Sequence, residues 1–208
     1  MPEDLEGIGD RLRDERTKAG ISQRELARRL GLSPSLISQL ESGLSKPSVG
    51  TLYAIVTELD LSLDRLLRGA DHSPSGGNPS SRDTNVNGGP SPLVHPDERE
   101  AIDLDSGVRW EQLSRDTDQG IDFLHAVYAV GGASTPDESL MRHNGKEYGY
   151  IVSGRLGIQL GFELYELEPG DSIGFDSTQP HRLFNIGDEP VHAIWFVVGR
   201  TNDHRTSS

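Results

Sequence analysis

The sequence predicts an α+β protein of two domains, an all-α domain followed by an all-β sandwich or barrel. Three features of the 208 residues carry this prediction. Apolar residues recur at helical spacing as far as residue 68, and Gly, Ser, Pro and Asn dominate residues 69–95, which read as a flexible linker. Over residues 96–200, short β-branched and aromatic runs alternate with turn signals. Residues 201–208 form a polar tail.

Two short helices joined by a tight turn are predicted from the run SQRELARRLGLSPSLISQLESG. Ser22 is a favourable N-cap, and Glu25 three residues later completes a capping box. Gly31 ends the first helix, and Ser33 followed by Pro34 begins the second. The apolar positions are Leu26, Ala27, Leu30, Leu36, Ile37 and Leu40. This pattern is typical of a helix-turn-helix that places its second helix in a DNA groove, with a plain helical hairpin as the alternative.

Three polar residues, Ser35, Ser38 and Gln39, remain on the outward side of the second helix. Hydroxyl and amide side chains can hydrogen-bond base edges, so these three are the candidate base-reading residues. Two further helices, Ser48–Leu59 and Leu61–Leu67, are predicted to complete the domain.

The segment resembles the lambda-repressor-like helix-turn-helix family often called Xre, over about residues 6–68. The resemblance implies five packed helices, with Ser33–Ser42 as the recognition helix. It also implies a buried ion pair between Arg16 and Glu41. The partner that it implies is an operator in double-stranded DNA.

Charge and the same resemblance suggest how this domain holds the DNA backbone. Gln23 and Ser33 match positions that contact phosphate in the family, and Lys46, just after the recognition helix, is a further candidate. The formal net charge of −13 divides into −1 for residues 1–68 and −12 for residues 69–208. We expect the acidic second part to repel phosphate and to reduce non-specific binding.

Composition bounds the remaining classes of protein. The chain contains no cysteine, which excludes disulfides and Cys-ligated metal sites and fits a reducing cytoplasm. No apolar run approaches the roughly 18 residues of a membrane span. The acidic start MPEDLEGIGD lacks the apolar core of a signal peptide. We therefore expect a cytoplasmic protein with no membrane partner.

Short strands at regular spacing are predicted throughout the second half. They are Val108–Leu113, Ile121–Val130, Tyr148–Ile151, Gly157–Leu160, Leu164–Leu167, Ser172–Phe175, Arg182–Asn185 and Val191–Val198.

Three residues of this half, His143, Glu147 and His181, form a candidate metal site. His143 and Glu147 are four residues apart, so on one extended strand their side chains would face the same side. His181 begins another predicted strand. Two imidazoles and one carboxylate on one face of a barrel form a facial triad with open positions, which suits Fe(II) and also Zn, Mn or Ni. The alternative is three ordinary polar residues near the mouth of a barrel.

The runs MRHNGKEYGYIVSGRLGI and GDSIGFDSTQPHRLFN resemble the two signature motifs of the cupin superfamily. The resemblance covers about residues 105–198 and implies a double-stranded β-helix barrel in which His143, Glu147 and His181 are metal ligands. The first histidine of the first motif is Met141 here, and a thioether is a poor ligand for hard cations, so three ligands remain. Without a metal, the same pocket would bind a small organic effector.

Other residues of this half carry weaker signals. His125 lies on an alternating strand and is either a pocket residue that points inward or a structural histidine. Asn185 is expected to hydrogen-bond within the barrel, and Trp110 and Trp195 are expected in the core. Strand alternation places Tyr150 on the face opposite the triad.

Together the two resemblances imply a transcription regulator whose cupin domain dimerises and senses a small molecule or a metal. The two DNA-binding domains of such a homodimer, here called its heads, would bind half-sites about 34 Å apart. A flexible linker transmits torque poorly, so coupling would act through dimerisation or through docking of the cupin domain on the heads. One alternative is a non-haem Fe(II) cupin oxygenase or epoxidase with a vestigial helix-turn-helix domain. The other is a cupin that only mediates dimerisation.

Overall fold

The computed structural model describes residues 6–61, 63, 66, 92–114 and 121–199. Over residues 6–61 it contains four α-helices: α1 (Glu6–Lys18), α2 (Gln23–Leu30), α3 (Pro34–Glu41) and α4 (Val49–Glu58). The predicted N-caps are confirmed, since the hydroxyls of Ser22 and Ser33 accept hydrogen bonds from the first turns of α2 and α3. The carboxylate of Glu25, predicted to complete a capping box, instead accepts hydrogen bonds from Arg28 and Arg29. Gly31 ends α2 in the left-handed conformation with a φ of 68°.

The fifth predicted helix, Leu61–Leu67, falls mostly outside the described residues. Leu63 and Leu66, which are described, are helical and fully buried. Most of the predicted linker and the tail from residue 201 also lie outside the described residues. Within the described part of the chain, none of the helices has the length and apolar character needed to span a bilayer.

The second part is built from antiparallel strands, as predicted. A short 3-10 turn, Pro96–Glu98, precedes them. The strands are β1 (Ala101–Asp103), β2 (Val108–Gln112), β3 (Ile121–Tyr128), β4 (Lys146–Ser153), β5 (Leu156–Leu160), β6 (Glu163–Leu167), β7 (Ser172–Asp176), β8 (His181–Asn185) and β9 (Val191–Val198). The sequence did not predict β1 or the 3-10 turn.

The strands form two sheets, a larger one in the order β1-β2-β3-β9-β4-β7 and a smaller one in the order β6-β5-β8. Residues alternate between buried and exposed along β2, β3, β4 and β9, so each strand turns one row of side chains into the barrel. The bridge between Met141 and His181 ties the start of β8 to the segment before β4. This end of the barrel carries the candidate metal site.

The two domains contact one another through the N-terminal end of α4. The backbone N–H of Gly50 donates to the carbonyl of Ser134 at 3.1 Å, and the N–H of Asp105 donates to the carbonyl of Pro47 at 3.0 Å. The first N–H groups of a helix have no partner within the helix, and here the barrel supplies one. The helical domain thus lies directly on the barrel.

Candidate metal centre and DNA-reading helix

The three predicted metal ligands come together although they belong to three different segments. Glu147 is the second residue of β4 in the larger sheet, and His181 is the first residue of β8 in the smaller sheet. His143 lies in the connection before β4, where its backbone N–H donates to the carbonyl of Ser177 at 3.0 Å. The triad therefore joins both sheets at one end of the barrel.

The potential ligand atoms converge on one point. Oε1 of Glu147 lies 2.9 Å from Nε2 of His143 and 3.1 Å from Nε2 of His181, and all three atoms lie within 4.8 Å of one another. The side chains are almost inaccessible, with exposed fractions of 1% for His143, 3% for Glu147 and 0% for His181. Despite the short distances, none of these atoms has a hydrogen bond of acceptable angle.

The opposite atom of each ligand is held by a neighbour. Nδ1 of His143 lies 3.0 Å from the carbonyl of Asn144, and Nδ1 of His181 lies 2.8 Å from the carbonyl of Gln179. A proton on each Nδ1 would satisfy these carbonyls and leave each Nε2 with a free lone pair, which is the tautomer that binds metals.

Glu147 is oriented in the same way by an indole. Nε1 of Trp195 donates to Oε2 of Glu147 at 2.7 Å, which directs Oε1 towards the two imidazoles. The sequence predicted Trp195 in the core, and its burial confirms that prediction. The sequence analysis did not predict the hydrogen bond from Trp195 to Glu147. The glycine at position 149 is the trace of this arrangement in the sequence. Gly149 pairs with Trp195 across β4 and β9, and any larger residue at position 149 would overlap the indole ring.

The electrostatics favour a cation. Burial alone raises the pKa of Glu147, but the imidazoles of His143 and His181 outweigh burial and hold its pKa at about 2. Burial lowers the pKa of His181, and the carboxylate of Glu147 outweighs that effect and raises it. The site therefore holds an ionised carboxylate in a water-excluded pocket.

The residues present fit a bound metal. Buried polar atoms without a hydrogen-bond partner are rare, and here three of them share one location. Two imidazole nitrogens and one carboxylate oxygen are donors that suit Fe, Zn, Mn and Ni. Within the described residues, His143, Glu147 and His181 are the group of histidines and acids close enough to hold one ion.

One detail of the sequence prediction is wrong. His143 does not lie on the same strand as Glu147, because β4 begins only at Lys146. Gly145 adopts a φ of 108° between them, a conformation that breaks an extended run. The two side chains meet because the chain turns, rather than because a strand alternates.

Other predicted residues of the barrel are also located. Asn185 hydrogen-bonds within the barrel, donating to the carbonyls of Tyr128, Ala129 and Glu189. Tyr150 is exposed on the outer face, as predicted. His125 is not a pocket residue: it faces outward, where its ring nitrogens lie 3.1 Å from Glu111 and 3.1 Å from His192.

The recognition helix α3 presents its predicted outward side to solvent. Ile37 and Leu40 are buried in the domain core, whereas Ser35, Ser38 and Gln39 are exposed. The implied ion pair is confirmed and anchors this helix: Nε of Arg16 lies 2.5 Å from Oε1 of Glu41. The base-reading roles of the three exposed residues stay predictions.

The three predicted phosphate contacts each have a partner within the chain. The amide of Gln23 donates to Oε2 of Glu41 at 2.7 Å, and the hydroxyl of Ser33 caps α3. Nζ of Lys46 lies 4.0 Å from a carboxylate oxygen of Asp103 in the barrel, and both side chains are partly exposed. An exposed ion pair of this length is weak, so it leaves Lys46 available for phosphate.

Comparison with known proteins matches both halves of the chain. The helix-turn-helix family matches residues 12–66, and the cupin domain family matches residues 124–197. The HTH-type transcriptional regulator PuuR of Escherichia coli is 25% identical over 179 residues, which cover 85% of this chain and 86% of PuuR. An uncharacterized HTH-type transcriptional regulator of Sinorhizobium fredii, y4dJ, is 33% identical over 69 residues, which cover 33% of this chain and 90% of y4dJ.

A solved structure confirms that this combination of domains exists as one fold. The crystal structure of an HTH_3 family transcriptional regulator from Vibrio cholerae superposes with a TM-score of 0.64 and 20% identity, covering 94% of this chain and 97% of that one. The helix-turn-helix match, the cupin match and the relatives agree with the geometry of α3 and of the barrel. The chain belongs to the Xre-type helix-turn-helix transcription regulators and carries a C-terminal cupin domain behind its DNA-binding domain.

Proposed function

We propose that this regulator holds a divalent metal ion at His143, Glu147 and His181, and that the barrel controls how the helix-turn-helix domain binds its operator. The observation that carries the proposal is the convergence of three buried ligand atoms whose opposite atoms are all held by neighbours. Fe, Zn, Mn and Ni are the candidate ions. A bound ion would supply a positive charge that links β4, β8 and the segment before β4.

Metal analysis of the purified protein tests this proposal directly. We expect one metal ion per chain in the wild type and its loss in His143→Ala. The matched control is His125→Ala, which removes an outward-facing histidine of the same barrel. An unmetallated wild type, even after anaerobic loading with each candidate ion, would contradict metal binding and favour an organic effector or a purely dimerising cupin.

The DNA-binding part of the proposal assigns base reading to Ser35, Ser38 and Gln39. Gln23, Ser33 and Lys46 are the proposed phosphate contacts. We place the DNA-binding domain at residues 1–68, the linker at 69–95 and the cupin domain at 96–200. Because the chain must reach the chromosome, we propose that it acts in the cytoplasm. Selection of binding sites from random DNA, followed by footprinting, would define the operator.

We also propose that two chains pair through the outer face of the larger sheet. This face exposes Tyr148, Tyr150 and Phe196, and a groove of about 420 Å³ runs between β4, β7 and β9. Exposed aromatic clusters of this kind mark interaction surfaces. A two-fold pair would bring two heads to the half-sites of a palindromic operator. Tyr148→Glu is expected to yield monomers in sedimentation experiments.

The triad also suits an Fe(II) oxygenase, because three protein ligands leave coordination positions for substrate and O₂. We favour the regulator for two reasons. The recognition helix is complete and exposed. The ring of Tyr53 stacks on His143 with centroids 4.2 Å apart, so it covers a side of the triad that a substrate would need to reach. Uptake of O₂ that a small substrate stimulates in the iron-loaded protein would support the enzyme instead.

A further inference from the structure

The element that covers the metal centre belongs to the DNA-binding domain. Tyr53 lies on α4, the helix that follows α3 in the chain, and its ring stacks on the imidazole of His143 at an interplanar angle of 24°. The same tyrosine contacts Trp110 of β2, with ring centroids 5.3 Å apart. Tyr53 is 3% exposed, so it is shared between the core of its own domain and the barrel.

Gly50 allows this close approach. A Cβ atom at this position would lie 3.1 Å from Cγ2 of Thr135 and 3.4 Å from Cβ of Met141. Its backbone conformation is helical, so the absence of a side chain is explained by the approach of the barrel rather than by the turn. Met141 occupies the place where the cupin motif has its first histidine, and here it packs against α4.

The recognition surface stays free in this arrangement. Ser35, Ser38 and Gln39 are exposed while α4 is packed on the barrel, so docking does not mask the side of α3 that reads DNA. Docking instead fixes the direction in which each head faces. It also explains why the triad is shielded from solvent.

We propose that the DNA-binding domain is the lid of its own sensor: α4 docks on the barrel of the same chain, closes the triad through Tyr53, and undocks when the site is opened. A ligand that needs the space above His143 must displace Tyr53 and therefore releases the head. The regulatory meaning of this lid rests on the proposed function, whereas the docking itself can be tested without DNA or metal.

The test uses Gly50→Glu as a wedge in the interface. A glutamate in the first turn favours the helix, so the domain should fold while the side chain forces α4 away from Thr135. Gly50→Ala is a milder step in the same series, because its Cβ requires a shift of only a few tenths of an ångström. Glu58→Gln is the matched control on α4, because Glu58 pairs with Arg29 and not with the barrel.

The first measurement is the distance between spin labels on the two domains. The chain has no cysteine, so Arg13→Cys on α1 and Glu166→Cys on β6 provide two exposed and unique attachment points. Dilution with unlabelled chains restricts the signal to distances within one chain. We expect one narrow distance in the wild type and in Glu58→Gln, and a broad distribution in Gly50→Glu.

The second measurement is the rate at which diethyl pyrocarbonate modifies His143 and His181 after chelation, with His125 as the internal reference. We expect the rate at His143 to rise about tenfold or more in Gly50→Glu and less in Gly50→Ala, because overpacking an interface shifts its equilibrium by such factors. A broad distance distribution in the wild type would overturn docking. Equal rates at His143 in the wild type and Gly50→Glu would overturn closure of the triad. Neither measurement needs a bound metal, so both still test docking and closure of the triad if metal analysis of the purified protein finds no ion.

Discussion

Replacement of Trp195 by phenylalanine isolates the role of a single hydrogen bond in the candidate metal centre. The indole N–H of Trp195 donates to Oε2 of Glu147 at 2.7 Å, and both side chains are buried. A hydrogen bond to a charged acceptor contributes about 1.5–3 kcal/mol. If it acts mainly by directing Oε1 of Glu147, its loss should weaken metal binding by about 10–100-fold, the usual range for neighbours of a metal ligand.

Competition between the protein and a chromophoric chelator for Zn²⁺ measures this loss. The control is Trp110→Phe, because Trp110 is buried to a similar degree, 4% exposed against 5% for Trp195, and donates nothing to Glu147. Both variants lose indole volume, which should destabilise each by about 1–3 kcal/mol in guanidinium unfolding with chelator present, and Trp195→Phe should lose about 1.5–3 kcal/mol more with its hydrogen bond. Wild-type zinc affinity in Trp195→Phe, or an equal loss in Trp110→Phe, would refute the orienting role.

Three further predictions concern the DNA-binding domain. Glu41→Gln leaves the partly buried Arg16 without its counter-charge and should lower the free energy of unfolding by about 3 kcal/mol in urea titrations, where an unchanged midpoint would count against the ion pair. Gly31→Ala places a Cβ at a φ of 68° and should lower the free energy of unfolding by about 1 kcal/mol in thermal unfolding, and Gly20→Ala, at a φ of 70°, should show a similar loss. No loss in either variant would contradict left-handed strain as the cause. Ser38→Ala and Gln39→Ala should each weaken operator binding by about 1–3 kcal/mol with unchanged affinity for random DNA. Equal losses on both DNAs would show that these residues do not read bases.

Helices and caps were predictable because their signals are local. Ser22, Ser33 and Gly31 each determine a helix end through hydrogen bonds or a conformation within three or four residues. The strands were predictable for the same reason, since alternation at period two requires no knowledge of the partner strand. Three-residue β1 escaped because so short a run carries no periodicity, and it forms only because β2 pairs with it.

The triad was predictable as a set but not in its mechanism of assembly. The motif spacing picked out three residues that do lie together, whereas the strand assumed for His143 was wrong because Gly145 turns the chain before β4. The outward direction of His125 follows from the pairing of β3 with β9, which no single strand reveals. Tyr53 carried no signal at all, since an aromatic residue on an amphipathic helix reads as ordinary core.

Docking of α4 resolves the difficulty that the predicted linker raises for regulation. A flexible segment the length of residues 69–95 would allow a head to move over distances of about 30 Å, so a change inside the barrel could not set the direction of the head through it. Contacts at Gly50 and Tyr53 bypass that segment, because they join the helix-turn-helix domain directly to the barrel and to His143. Heads that are already held in one orientation lose little orientational freedom when they bind two half-sites. Released heads lose that freedom on binding, and this entropy cost lowers their affinity for the operator. A ligand that displaces Tyr53 therefore weakens operator binding even though it touches no residue of α3.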